Sequence, residues 1–262
     1  MDLLEIGRSL NEICTETGSY ILSEQGGLKG EDVAAKGLHD YVTFVDRQSE
    51  KMLIGRLRQL LPDAGILAEE DSVEFKKMAY NWVIDPLDGT TNFIHGLPVF
   101  SVSVALMKGS EVVMGTVFEP VSGECFHATE GGPALLNGRV ISVSATERLD
   151  DSLLATGFPY SDFSRQEAYL ALLGRLMRGC RGIRRFGSAA VDLAWVACGR
   201  FDGFWEYGLK PWDVAAGSFI LERAGGICSD FSGGKNYISG REIVCGNPSV
   251  YRELAGLLRE YF

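Results

Sequence analysis

Histidine is scarce in this chain, with three residues at 39, 95 and 127, and none of the six cysteines forms a C-x-x-C. A zinc site built on closely spaced His and Cys is therefore excluded. The thiols at 14, 125, 180, 198, 228 and 245 mostly lie in apolar stretches, which fits buried free cysteines in a reducing cytoplasm. No apolar run approaches the ~18–20 residues that span a bilayer. The start, MDLLEIGRSLNEIC, carries acids at 2 and 5 and no basic segment, so no secretory leader is expected. The 32 glycines follow no G-x-y period, and no Pro/Ser-rich or low-complexity tract divides the chain. Positive charge is short as well: 25 Lys and Arg stand against 35 Asp and Glu, for a net charge of -10. Such a chain repels polyphosphate at long range, which argues against nucleic acid as its main partner. A local phosphate would need cations or backbone amides to hold it.

What is present is an ordinary folded composition over 262 residues, 46% hydrophobic and 23% charged. Leu3, Ile6, Leu10, Ile13, Cys14, Thr17, Tyr20 and Ile21 recur at steps of three and four, which predicts a first helix ending at Gly26-Gly27. The polar stretch GLKGEDVAAKGLHD reads as an exposed loop or hairpin. Thr43 and Asp46 match a capping box that opens a second helix. From Ile66 the period changes to strands (GILA, NWVID, VFSVSVALM, EVVMGTVFE, ECFHAT), with an antiparallel meander around Lys108-Gly109-Ser110. The second half alternates strand and helix instead. The expected class is α/β with an α+β first half, divided into subdomains at 1–144 and 145–262.

The chemistry concentrates in Trp82-Val-Ile-Asp85-Pro86-Leu87-Asp88-Gly89-Thr90-Thr91-Asn92-Phe93. An apolar strand delivers two carboxylates three residues apart. Pro86 bends the chain between them, so that both acids and the carbonyl of Leu87 can converge. Oxygen-only ligands suit a hard divalent cation such as magnesium. Gly89, Thr90 and Thr91 add backbone N–H groups and hydroxyls, and a helix starting there makes an anion site. Glu69-Glu70-Asp71-Ser72 follows another strand end, where ligands gather in open α/β sheets. Asp213 opens an apolar helix, and Asp46 sits in the capping box. Each acid alone has a bland reading as a turn, a solvated cluster or a helix-dipole partner. Together, at the ends of elements and beside a Gly-Thr-Thr cradle, they form a metal-plus-phosphate pattern.

These residues resemble the inositol monophosphatases, which belong to the magnesium-dependent, lithium-sensitive sugar phosphatases. The likeness rests on Asp85-Pro-Leu-Asp88-Gly-Thr-Thr-Asn-Phe93 and on Lys210-Pro-Trp-Asp213-Val-Ala-Ala-Gly217. Lys36, Asp40-Tyr-Val-Thr43-Phe-Val-Asp46, Glu69-Glu70-Asp71-Ser72 and Gly187-Ser188-Ala189-Ala190 support it, over roughly residues 5 to 260. The resemblance implies a layered α-β-α-β-α sandwich of the sugar-phosphatase type, usually a homodimer. It implies two or three magnesium ions. Glu69, Asp85 and the Leu87 carbonyl would hold the first, and Asp85, Asp88 and Asp213 the second, with Glu69 touching a weak third. It implies that Gly89, Thr90 and Thr91 seat the phosphate, while Thr90 and Asp46 orient a metal-activated water, with Glu69 counted in the catalytic group. Gly187, Ser188, Ala189, Glu206 and Asp213 would contact a phosphorylated polyol, and Lys36 would lie in a mobile loop over the metals. The implied reaction is hydrolysis of inositol monophosphate to myo-inositol and phosphate.

Lys210 and Pro211 depart from the family pattern, and a cation there would suit a second phosphate, as in fructose 1,6-bisphosphate. The Thr-Asn-Phe ending speaks against a phosphoadenosine phosphatase. A D-x-D-G-T aspartate nucleophile is disfavoured because these acids are three apart, not two. A purely non-enzymatic binding protein is disfavoured by the complete set of acids.

Overall fold

The computed structural model describes residues 2–27, 33–37, 40–160 and 162–262, with backbone alone at 36, 37 and 40. Helix α1 (Leu3–Glu24) starts at Asp2, whose carboxylate accepts the N–H groups of Leu4 and Glu5. Strands β1 (Val33–Gly37) and β2 (Asp40–Thr43) pair antiparallel before the second helix. Thr43 caps α2 (Phe44–Leu60) and the Asp46 carboxylate reaches back to the Thr43 N–H, which is the anticipated capping box.

Seven strands follow in one sheet: β3 (Gly65–Ala68), β4 (Tyr80–Asp88), β5 (Ser101–Lys108), β6 (Glu111–Glu119), β7 (Glu124–Thr129), β8 (Leu135–Leu136) and β9 (Arg139–Val140), hydrogen-bonded in that order. Strands β4 to β9 make the antiparallel meander, whereas β3 joins β4 in parallel. A five-residue helix, α3 (Thr90–Ile94), is inserted between β4 and β5. The second sheet has the order β11-β10-β12-β14-β13, from β10 (Leu153–Thr156), β11 (Gly182–Arg184), β12 (Gly203–Tyr207), β13 (Ile227–Ser229) and β14 (Glu242–Gly246). Helices α4 (Gln166–Leu176), α5 (Ala189–Ala197), α6 (Pro211–Arg223) and α7 (Pro248–Tyr261) alternate with those strands.

Period-two side chains decide the layering. On β4 and β5, Trp82, Ile84, Val102 and Val104 face α1 and α2, packing with Leu10, Ile13, Leu53 and Leu57. From the other face Val83, Ala105 and Val117 meet α5 and α6. Those two helices are apolar nearly all round because they also cover Phe204 and Ile243 of the second sheet. The outer face of that sheet packs Trp205 and Val244 on Tyr169, Leu172, Leu254 and Leu258 of α4 and α7. The result is the layered α-β-α-β-α arrangement. Residue 145 lies in the segment without regular structure after β9, and the central core draws on both sides of it.

One close approach between backbones positions Asp213. A Cβ on Gly115 would meet the Ala216 backbone at 2.9 Å, so α6 lies directly on β6. The small residues of Val-Ala-Ala-Gly thus bring the start of α6, and Asp213 with it, down over the ends of β4 and β5. Ser103 fixes this by donating to the Trp212 carbonyl at 3.1 Å.

All six cysteines are free, and burial pushes the Cys14 and Cys228 thiols well up, which makes them poor nucleophiles. His127 is a core residue against Thr116, with burial pushing its imidazole down to about 4. Among the described residues no helix is long and apolar enough to cross a membrane.

Candidate active site

The β4–β5 pairing is regular up to Asp85↔Ser103 and resumes at Asp88↔Ser101, so the chain bulges at Pro86-Leu87. Pro86 has no N–H to give the ladder, which is why the irregularity falls there. Leu87 donates its N–H to Asp85 Oδ1 at 3.0 Å, tying the first acid to the bulge. Gly89 then takes φ +96, a left-handed conformation that a side chain would strain, and becomes the N-cap of α3. The helix anticipated after the two acids is therefore present, although it is a single short turn and a half.

Thr90, its first residue, connects two of the expected catalytic groups. Its hydroxyl lies 2.9 Å from Asp46 Oδ1 and 3.0 Å from the Leu87 carbonyl. One hydroxyl proton serves only one acceptor at a time, so the two compete. Asp46 Oδ2 is held by the Thr43 N–H and hydroxyl at 2.8 and 2.6 Å, leaving Oδ1 for Thr90. Burial pushes the Asp46 carboxyl up against these hydrogen bonds, which draw it down.

Asp88 accepts from the Ser188 hydroxyl at 2.6 Å and from the Ala190 N–H at 2.7 Å, at the start of α5. Those bonds temper a carboxyl that burial pushes up to about 6. Asp213 Oδ2 accepts the Lys210 N–H at 2.7 Å in the first turn of α6. Burial raises the Asp85 carboxyl well above its ordinary range, with Glu69, Asp88 and Asp213 adding to the rise. Asp213 is raised by burial and then chiefly by Asp88. Four acids from three segments, Asp85 buried and the other three half-buried, are thus brought into mutual repulsion, an arrangement that a cation relieves.

A cavity of about 530 Å³ opens over this cluster. Glu69, Asp88, Gly89, Thr90, Thr91, Gly187, Ser188, Ala189, Glu206 and Asp213 line it. Asp46, Asp85 and Leu87 lie beneath the lining, and Asp46 reaches the cavity through Thr90. The Lys36 side chain lies outside the described residues. No three His, Cys, Asp or Glu side chains among those described are already arranged to hold a metal ion. The Leu87 carbonyl, on the bulge between Asp85 and Asp88, accepts from the Thr90 hydroxyl. The donor set itself, all oxygen and mutually repulsive, fits a hard divalent cation and nothing softer.

Several residues that line or support the site were not singled out from the sequence. Glu50 of α2 accepts the N–H groups of Glu70 and Ser72 at 2.8 and 3.0 Å, pinning the acidic turn after β3. Asn92 donates to the carbonyls of Val99 and Phe186 at 2.7 and 2.6 Å, stitching α3 to the turn before Ser188. Arg185 and Asp192 line the cavity beside Glu206. Asp192 carried a signal, being the lone acid in the apolar helix AAVDLAWVA, and Asn92 belongs to the motif already read; Glu50 and Arg185 carried none, because their partners are remote in sequence.

Glu206, on β12, is buried, and burial pushes its carboxyl up to about 8, with Arg185 drawing it down. Gly157 leaves the room it occupies, since a Cβ there would overlap the Glu206 carboxylate. Gly157→Ala is expected to lower stability by about 1–3 kcal/mol through overpacking. Adding Glu206→Ala to that variant should recover most of the loss, and thermal unfolding of the two singles and the double measures the coupling. Independent, additive losses would show that the two residues do not share this space.

Comparison with known proteins agrees with this geometry. The profile of the inositol monophosphatase family matches residues 4–261. The chain is 44% identical over 230 residues to the Nus factor SuhB of Escherichia coli K12, covering 87% of this chain and 86% of that one. It is 40% identical over 245 residues to the inositol-1-monophosphatase of Rhizobium meliloti, covering 93% and 92%. Among solved structures, the extragenic suppressor protein suhB of Bartonella henselae superposes with a TM-score of 0.93 at 38% identity, covering 97% of this chain and 98% of that one.

Proposed function

Because the chain belongs to the inositol monophosphatase family, whose members are metal-dependent phosphatases, we propose that it hydrolyses inositol monophosphate to myo-inositol and phosphate with magnesium as cofactor. The observation that carries this reading is the Thr90–Asp46 pair at 2.9 Å, set beside four repelling carboxylates at one cavity. Glu69, Asp85, Asp88, Asp213 and the Leu87 carbonyl would hold the magnesium ions. When bound, such ions activate water and stabilise the charge that develops on the departing oxygen.

The protein's own groups divide the remaining work. Gly89, Thr90 and Thr91 line the cavity at a helix start, where N–H donors lack intrahelical partners and would suit phosphate oxygens. Thr90 Oγ1 donates to Asp46 Oδ1 and so turns a lone pair toward water, whose proton it accepts as its own passes to Asp46. Asp46, raised by burial, suits the role of proton acceptor. Glu206 and the 187–189 turn, which also line the cavity, would meet the polyol. The six free cysteines suit a reducing cytoplasm, and a homodimer is part of the proposal. The net charge of -10 argues against nucleic acid as substrate.

A second reading has one observation in its favour. Lys210, exposed, and Arg241 both line the cavity, and cations at the rim suit a second phosphate, as in fructose 1,6-bisphosphate. Initial rates with magnesium on inositol 1-phosphate, fructose 1,6-bisphosphate, glycerol 2-phosphate and 3′-phosphoadenosine 5′-phosphate separate the readings. A clear preference for the bisphosphate would replace the inositol proposal. Glu206→Ala should weaken use of inositol 1-phosphate more than that of an aryl phosphate, which offers no ring hydroxyls. Equal losses on both would assign Glu206 to support of the acid cluster or the fold.

A further inference from the structure

We propose that Arg185 and Asp192 are specificity-determining residues that grip adjacent ring hydroxyls, so that the site selects a phosphorylated cyclic polyol over an ester without hydroxyls. The inference rests on the phosphatase reading above and concerns the part of the cavity lined by Glu206. Both residues line that cavity with Glu206.

Asp192 is the fourth residue of α5, only 1% exposed, and one of its carboxylate oxygens is sealed without a hydrogen-bond partner. Arg185 Nε is likewise buried and unpartnered. Its guanidinium lies 5.6 Å from the ring centre of Phe158 and 5.1 Å from that of Tyr160, stacked on the loop that holds Gly157. Any side chain at Gly187 would overlap the same guanidinium, so it crosses the turn before Ser188. A planar donor fork shelved on two rings loses little freedom when it binds.

A carboxylate and a guanidinium on the lining of one cavity suit a ligand that both donates and accepts. Adjacent hydroxyls on a ring do both: their protons go to Glu206 and Asp192, and their lone pairs take N–H bonds from Arg185. A second phosphate fits this part of the cavity poorly, because the guanidinium is outnumbered by two carboxylates. Burial raises both carboxyls and Glu206 adds to the rise at Asp192, while the guanidinium draws both down. The rim cations Lys210 and Arg241 are the better candidates for a second phosphate.

The experiment compares KM for inositol 1-phosphate and for p-nitrophenyl phosphate in the wild type, Asp192→Asn and Arg185→Gln, with magnesium present. The ratio of the two KM values is expected to rise ~10-fold in each variant, because only the polyol loses bonds. A change shared by both substrates, or no change in the ratio, overturns the inference while leaving the phosphatase reading intact. A wild-type protein inactive on every ester overturns both. Should Arg185→Gln fail to fold, Arg185→Lys keeps the charge without the fork and reads the same ratio.

Discussion

Thr90→Val is expected to lower turnover of a phosphate monoester by ~10²–10⁴-fold while the fold survives, since the substitution keeps the shape and removes only the hydroxyl. The hydroxyl is the link through which Asp46, beneath the lining, reaches the cavity. Without it Asp46 keeps its two bonds from Thr43 and loses contact with the reacting water. The Leu87 carbonyl also loses its donor, so thermal unfolding should be recorded on the same preparation. A loss confined to KM would mean that Thr90 serves phosphate binding alone. Direct attack by water further predicts inversion at a chiral phosphorus and no phosphoenzyme in rapid quench. A trapped acyl phosphate on Asp85 would overturn the reading.

Removing divalent cations should abolish activity and reverse the pH dependence of stability that carboxylates usually give. Burial pushes Asp88 up to about 6 and Glu206 up to about 8, and raises Asp85 and Asp213 as well. A carboxyl that ionises less readily folded than unfolded contributes its full stability below the unfolded pKa, and that contribution is lost as pH rises through the folded value. The chain in chelator should therefore be most stable at mildly acidic pH and weaken from the ordinary carboxylate range up to about 8. Its melting temperature is expected to fall by several degrees between about pH 5 and about pH 9, each ~1 kcal/mol being worth ~2–4 °C at this size. Magnesium should restore activity and flatten the slope, because neutralised acids no longer repel. Calcium should support little turnover, since it relaxes octahedral geometry. A flat profile in chelator, or full activity without cations, would contradict the reading of the acid cluster.

Local patterning settled much of this protein before any tertiary contact. The period of three and four placed α1, the period of two placed β4 to β7, and Thr43 with Asp46 set the start of α2, because each signal is written within a few residues of where it acts. The bend at Pro86 was equally legible, since proline acts on its own backbone, whereas the left-handed Gly89 emerged only in the fold. Whether the acids at 69, 85, 88 and 213 would meet was not written locally. That was decided by Gly115 and the small residues of α6, which let the helix settle on the sheet and carry Asp213 over β4. Nor did the sequence mark Glu50 or Arg185, whose partners belong to other elements and other turns of the chain. Side-chain period fixes which face of an element is apolar; only packing fixes what that face meets, and the site is made of what met.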